Sequence, residues 1–279
     1  MADKSKRWDQ TPIEAGVNRW FAYGVLFFLI APLLVVIPLS FNAEPYFSFT
    51  DKMLTLQPDG FSLRWYRDIA ENPQWLEAMR NSVIIGLCST ALATVLGTLA
   101  AMGLARSNMP VRDLFLALMI SPLIVPIVIS AAGMYFFYST IGLAQTTLGI
   151  ILAHTALGVP FVVITMTATL SGFDNNLIRA SASLGADPVT TFFRVTLPLV
   201  APGMISGALF AFAASFDEVV TVLFLGGPEQ RTIPRQMWSG IREQISPTIL
   251  AVATLLIVFS TLLLLTVEML RRWNAPAKG

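Results

Sequence analysis

An all-α membrane protein that crosses the bilayer six times is what this sequence predicts, and three observations predict it. Of its 279 residues, 55% are hydrophobic and only 13% charged, where a soluble domain carries about 25% charged residues. The mean hydropathy is +0.68. The apolar residues are gathered into runs long enough to cross ~30 Å of hydrocarbon, which takes about 20 residues of helix. Six such runs fall at 20–41, 80–105, 111–138, 143–171, 200–225 and 247–270, making a single transmembrane domain over 20–270 between polar tails at 1–19 and 271–279.

The first tail carries Asp3, Lys4, Lys6, Arg7, Asp9 and Glu14 and lacks the small-residue cleavage site of a signal peptide. The first run is therefore expected to stay as an anchor. The second run holds Cys88, the single cysteine, so no disulfide framework forms within the chain and a buried, inert thiol is expected. Pro122 and Pro126 remove backbone donors from the third run and predict a kinked or broken helix, and Gly158 and Pro160 predict something similar in the fourth. His154, the only histidine, has no metal or acid–base partner at suitable spacing and is expected to pack with a hydrogen bond.

Orientation follows the basic residues. With both termini in the cytoplasm, that side receives eleven of the 18 lysines and arginines: Lys4, Lys6, Arg7, Arg19, Arg106, Arg112, Arg179, Arg194, Arg271, Arg272 and Lys278. Four of the other seven belong to the long segment 42–79 and its edge, which weighs less in the positive-inside rule. That segment, with Arg64-Trp65-Tyr66 and Pro73-Gln74-Trp75-Leu76, is expected to be an outer cap of one or two short helices with its aromatics at headgroup level. The segment 226–246 opens on the turn signal Gly226-Gly227-Pro228, and its Met237, Trp238, Ile241 and Ile245 are expected to pack on the bundle.

The stretch 172–199 is short, apolar and on the cytoplasmic side. Arg179-Ala180-Ser181-Ala182-Ser183-Leu184 reads as a small-residue helix ended by Gly185, and Ala186-Asp187-Pro188 as a turn into a second helical piece. Phe192 and Phe193 would be costly facing water, so the loop reads as a docking element. The spacing from Gly185 to Val195-Thr196-Leu197-Pro198 resembles the EAA loop of ATP-binding cassette importer permeases, without a gap. The resemblance implies the type I importer permease fold, with Arg179, Ala180, Ser181, Leu184, Gly185, Ala186, Phe192, Leu197 and Pro198 coupling to an ATPase subunit. Two positions depart from the pattern: Arg179 stands for its glutamate and Ser181 for its second alanine.

Phe61-Ser62-Leu63-Arg64-Trp65-Tyr66, Ser215-Phe216-Asp217-Glu218 and Thr232-Ile233-Pro234 are similar to the spermidine/putrescine permease group. Asp217 and Glu218 sit about 16 residues, or ~24 Å, into span five. A carboxylate in hydrocarbon costs roughly 2.5–3.5 kcal/mol unless it faces protein or water. Either they line a translocation path for an amine-bearing solute, or they lie near the outer interface bonded to groups such as Arg231 or Arg235. Where many members of that group carry an acidic residue after the second proline of span three, this chain has Ile127, which points to a monocation or zwitterion.

A net charge of +1 offers nothing to nucleic acid, and no Walker-type phosphate loop is present, so the chain cannot hydrolyse ATP alone. The resemblance implies that ATP and Mg are bound by two ATPase subunits on the cytoplasmic side and that the chain itself needs no cofactor. It also implies a second permease chain, expected as a heterodimer, and a periplasmic solute-binding protein, all in a bacterial inner membrane. The alternative is a stand-alone secondary transporter, which would show internal repeats and more intramembrane charge.

Overall fold

The computed structural model describes residues 12–105, 110–243 and 246–273. Lys4, Lys6, Arg7, Arg106, Ile245 and Lys278 lie outside the described residues. Thirteen α-helices are described, with one isolated bridge, Asn42 to Phe61, and no sheet among the described residues. The described residues form two compact units, one from those within 1–72 and 240–279 and one from those within 73–239.

In the first unit, α1 (Pro12–Leu39) leaves most of its apolar side chains uncovered. Beyond it come α2 (Asp51–Leu54) and α3 (Arg64–Glu71), two short helices in the segment where one or two were expected. The cap is tied by polar bonds: Trp65 Nε1 donates to the Asn42 carbonyl at 2.8 Å, and Tyr66 OH meets Ser40 Oγ at 2.6 Å. Trp65 is thus buried in protein, not spread at a lipid interface. The helix α13 (Thr248–Trp273) packs on α1 and α3, with Thr248 Oγ1 donating to Asp68 Oδ2 at 2.7 Å.

The second unit is built on α4 (Pro73–Leu104), α7 (Thr147–Ser171) and α10 (Leu197–Phe216). Small residues let their backbones approach. Ala93 and Gly97 on α4 meet Gly158 and Val162 on α7, which in turn meet Gly207 and Ala211 on α10. In lipid such close packing replaces the hydrophobic drive that holds soluble bundles together. Gly158 is therefore a packing position: α7 runs on unbroken through Pro160. Helix α4 starts at Pro73, so Trp75 belongs to its first turn and is buried. Cys88 lies on an exposed face of α4, where a buried thiol was expected.

The third run does break. Helices α5 (Arg112–Ile124) and α6 (Ile127–Thr140) are bent 103° apart. Pro126 has no N–H and disfavours helix at the residue before it, and Val125 is accordingly extended (φ −70°, ψ 132°). Four stretches, within α1, α4, α7 and Pro188–Phe216, are long and apolar enough to cross a membrane; the bent pair α5 and α6 makes a fifth when taken as one span, and α13 is apolar over the shorter stretch Thr248–Leu262. These six elements overlap the six apolar runs in position.

On the far side of the second unit, Asn81 Nδ2 donates to the carbonyls of Glu229 (2.7 Å) and Arg231 (2.9 Å), and Ser82 Oγ accepts from Ile233 N–H at 2.8 Å. The helix that follows, α12 (Ile233–Glu243), buries Ile233 and Gln236. Trp238 and Ile241, expected on its packed face, are about half exposed.

Candidate functional site

Two regions collect the residues singled out in the sequence. The first is the loop after α7. Helix α8 (Asn176–Ser183) carries Arg179, Ala180 and Ser181 and stops at Gly185, whose φ is +83°. The stop is a Schellman motif: Ala186 N–H reaches the Ser181 carbonyl (3.2 Å) and Gly185 N–H the Ala182 carbonyl (2.9 Å). Asp187 then caps α9 (Pro188–Thr191), accepting from the N–H groups of Val189 (2.9 Å) and Thr190 (3.1 Å). The Thr190 hydroxyl, with these backbone groups, holds the Asp187 carboxyl below its usual range. Ser181 Oγ and Thr191 Oγ1 meet at 2.8 Å in a buried position and tie the two helices together.

Around this frame the apolar residues point outward. Leu184 is 89% exposed, Val189 65% and Phe193 60%. Arg179, Ala180 and Gly185 are exposed, whereas Ala186, Phe192 and Leu197 are half-buried. Ser181 therefore serves inside the loop, a role its sequence position did not reveal.

A π-turn over Phe192–Thr196 joins α9 directly to α10. Pro198 has no N–H for the carbonyl four residues back, and its ring crowds that carbonyl, so the ladder widens to Leu197 N–H on the Phe192 carbonyl. The Leu197-Pro198 pair thus makes the loop and span five one continuous element.

The second region is the other end of that element. Span five is not one helix: α10 ends at Phe216 and α11 (Val220–Leu225) begins after three unwound residues, Asp217 to Val219. Glu218 Oε1 accepts the Thr221 N–H at 2.8 Å and so caps α11. Asp217 is exposed, and among the described residues its carboxylate meets no hydrogen-bond or ion-pair partner. Neither arginine considered as a partner reaches the pair, for Arg235 donates to the Gly227 carbonyl (2.7 Å) and Arg231 to Gln236 Oε1 (3.3 Å). Both carboxylates line an open cleft of about 360 Å³ with Phe161, Phe210, Ala213 and Ala214. The two phenylalanines stack with centroids 6.4 Å apart. No sequence signal marked Phe161 or Phe210, because aromatics in an apolar run look alike until packing separates them.

His154 packs with a hydrogen bond, Nδ1 to Ser215 Oγ at 2.8 Å. Among the described residues no three His, Cys, Asp or Glu side chains gather at metal-binding distance.

Residues 93–277 match the family described as binding-protein-dependent transport system inner membrane component. The chain belongs to that family. The Haemophilus influenzae spermidine/putrescine transport system permease protein PotC is 28% identical to this inner membrane component over 254 residues, covering 91% of this chain and 96% of that one. The Escherichia coli K12 putrescine transport system permease protein PotI is 32% identical over 237 residues, 82% of each chain. In fold, the inner membrane component is similar to a bacterial ABC transporter that imports the acidic polysaccharide alginate. The TM-score is 0.68 at 14% identity, over 98% of this chain and 100% of that one. A bacterial alginate ABC transporter in complex with an alginate pentasaccharide-bound periplasmic protein gives 0.64 at 15% identity, over 97% of this chain and 99% of that one. The fold is that of type I importer permeases, and this inner membrane component is a permease subunit of a binding-protein-dependent importer, a transport subunit and not an enzyme.

Proposed function

We propose that this permease subunit passes a small amine-bearing solute, a polyamine or a related compound, along the face of span five that carries Asp217. The observation that carries the reading is the cleft itself. A free carboxylate beside a stacked aromatic pair offers an ammonium group both a counter-charge and a cation–π surface. Glu218 spends one oxygen on the α11 cap, so Asp217 is the less committed of the two charges. Ile127 adds no further carboxylate, which within this class favours a monocation or zwitterion over a dication. The names of the PotC and PotI relatives support the same solute class.

The loop with Arg179, Ala180, Ser181, Leu184, Gly185, Ala186, Phe192, Leu197 and Pro198 docks on an ATPase subunit, one of two that bind ATP and Mg. Its outward Leu184, Val189 and Phe193 supply the apolar contact. A second permease chain, expected to be a different one, completes the path, and a periplasmic solute-binding protein delivers cargo. Both termini lie in the cytoplasm of a bacterial inner membrane. ATP binding closes the ATPases, the docked loop moves, and the continuous helical join at Phe192–Thr196 carries that movement into span five.

Affinity purification of the tagged chain from its own membranes tests this reading. An ATPase and a second six-span chain should co-purify, and binding protein loaded with putrescine should stimulate ATP hydrolysis by the complex. A chain that purifies alone and moves putrescine in vesicles without ATP would return the stand-alone transporter. A complex stimulated only by non-amine cargo would discard the amine reading and keep the importer.

A further inference from the structure

The buried polar side chains among α4, α7 and α10 form a chain of hydrogen bonds that ends at the break in span five. Ser215 Oγ lies 2.8 Å from His154 Nδ1 and 2.9 Å from Ser89 Oγ, and Ser89 Oγ donates to the Gly86 carbonyl at 3.2 Å. His154 is 1% exposed, and its Nε2 is buried with no hydrogen-bond partner. The donors can then be ordered. With the single Ser89 proton given to the Gly86 carbonyl, Ser215 donates to Ser89 and His154 Nδ1–H to Ser215. The reverse order would place the proton on Nε2 and leave a buried N–H without an acceptor, which costs more than an idle lone pair.

We infer that His154 is a positioning residue: through Ser215 it fixes the end of α10 and so sets where Asp217 and Glu218 present their carboxylates. The Ser215 carbonyl accepts the Glu218 N–H at 3.4 Å, so the break opens on the anchored residue. Beyond the break, α11 is held separately, by Gln145 N–H on the Leu225 carbonyl at 2.7 Å. Asp217, Glu218 and Val219 are therefore spanned between two anchors, and removing one lets the carboxylates shift. That this shift matters for transport rests on the reading that the acidic break lines the solute path.

The test reads the geometry of the break directly. In the assembled transporter, Cys88→Ser removes the only native cysteine, and Ala213→Cys places a thiol in the cleft. Its labelling rate is measured with a cationic and with an anionic methanethiosulfonate reagent. His154→Leu should change both rates by about fivefold, the effect of one lost hydrogen bond on a two-state equilibrium. His154→Asn, which keeps a donor near the Nδ1 position, should restore them although it is the smaller side chain. Ser215→Ala should reproduce the change and add nothing to His154→Leu; being the milder substitution, it carries the test if His154→Leu fails to assemble. Unchanged rates in Ser215→Ala, no rescue by asparagine, or additive effects would overturn the inference. The charge reading is scored separately: equal rates for the two reagents with His154 intact would defeat the cation path and leave the His154 result readable.

Discussion

The hydroxyls of Ser181 and Thr191, ten residues apart, meet at 2.8 Å in a buried position and lock α8 onto α9. Ser181→Ala, which restores the alanine of the EAA pattern, should therefore loosen this loop. It leaves Thr191 Oγ1 buried without that partner, at a cost of about 1–3 kcal/mol. Adding Thr191→Val removes the orphan and should recover most of the loss. Limited proteolysis of the 172–199 loop in vesicles checks this: cleavage rises in the single variant and falls back in the double. Equal cleavage in all three would refute the locking role.

Gly185→Asp should abolish transport while the chain still inserts. At φ +83° a side chain is strained, yet a Cβ there meets nothing within 4 Å inside the chain. Asparagine tolerates the left-handed region nearly as well as any side chain. Gly185→Asn should thus retain more transport than Gly185→Asp, the difference being the charge set against a docked surface. Normal uptake by Gly185→Asp would sink the docking role.

Asp217→Asn should weaken uptake of putrescine, whereas Glu218→Gln should be milder because its amide oxygen still caps Thr221 N–H. Glu218→Leu removes that acceptor and should fail by unravelling the start of α11. Initial uptake rates in intact cells separate the three. Unchanged uptake by Asp217→Asn would favour a structural role for the pair.

Gly207→Leu should destabilise the α4–α7–α10 packing. A Cβ at Gly207 would stand 2.9 Å from Val162 Cα and press on the Thr165 hydroxyl, both close to α7 backbone that has no room to retreat. Overpacking of this kind costs about 1–3 kcal/mol. Thermal inactivation of the detergent-solubilised complex measures it, and an unaltered midpoint would mean the helices do not approach at this residue.

Much of this was legible in the residues. Pro126 marked the break in span three and Gly185 the end of α8, because each imposes its backbone state locally. Pro160 misled for the same reason: a proline in lipid is tolerated where neighbouring helices surround it, and here α7 is clasped by α4 and α10. The break at Asp217 was hidden, since Ala211–Leu225 contains neither proline nor glycine. It depends on partners remote in sequence: His154 and Ser89 on one side, Gln145 on the other, and the Glu218 cap between. Side-chain capture of a backbone N–H leaves no mark in an apolar run. Likewise the burial of Ser181 against Thr191 could not be told from a small residue kept for an outside surface.

The π-turn at Phe192–Thr196 sets the phase of everything after it. Such a turn holds one residue more than an α-turn, and each residue rotates a helix by about 100°. Gly207 and Ala211 face α7, and the extra residue sets how the loop before them is turned relative to that face. Shorten the loop by one position and span five would present its bulky side instead. The distance from Gly185 to Leu197-Pro198 is then a timing mark, indexing the α8–α9 loop to the packing face of α10.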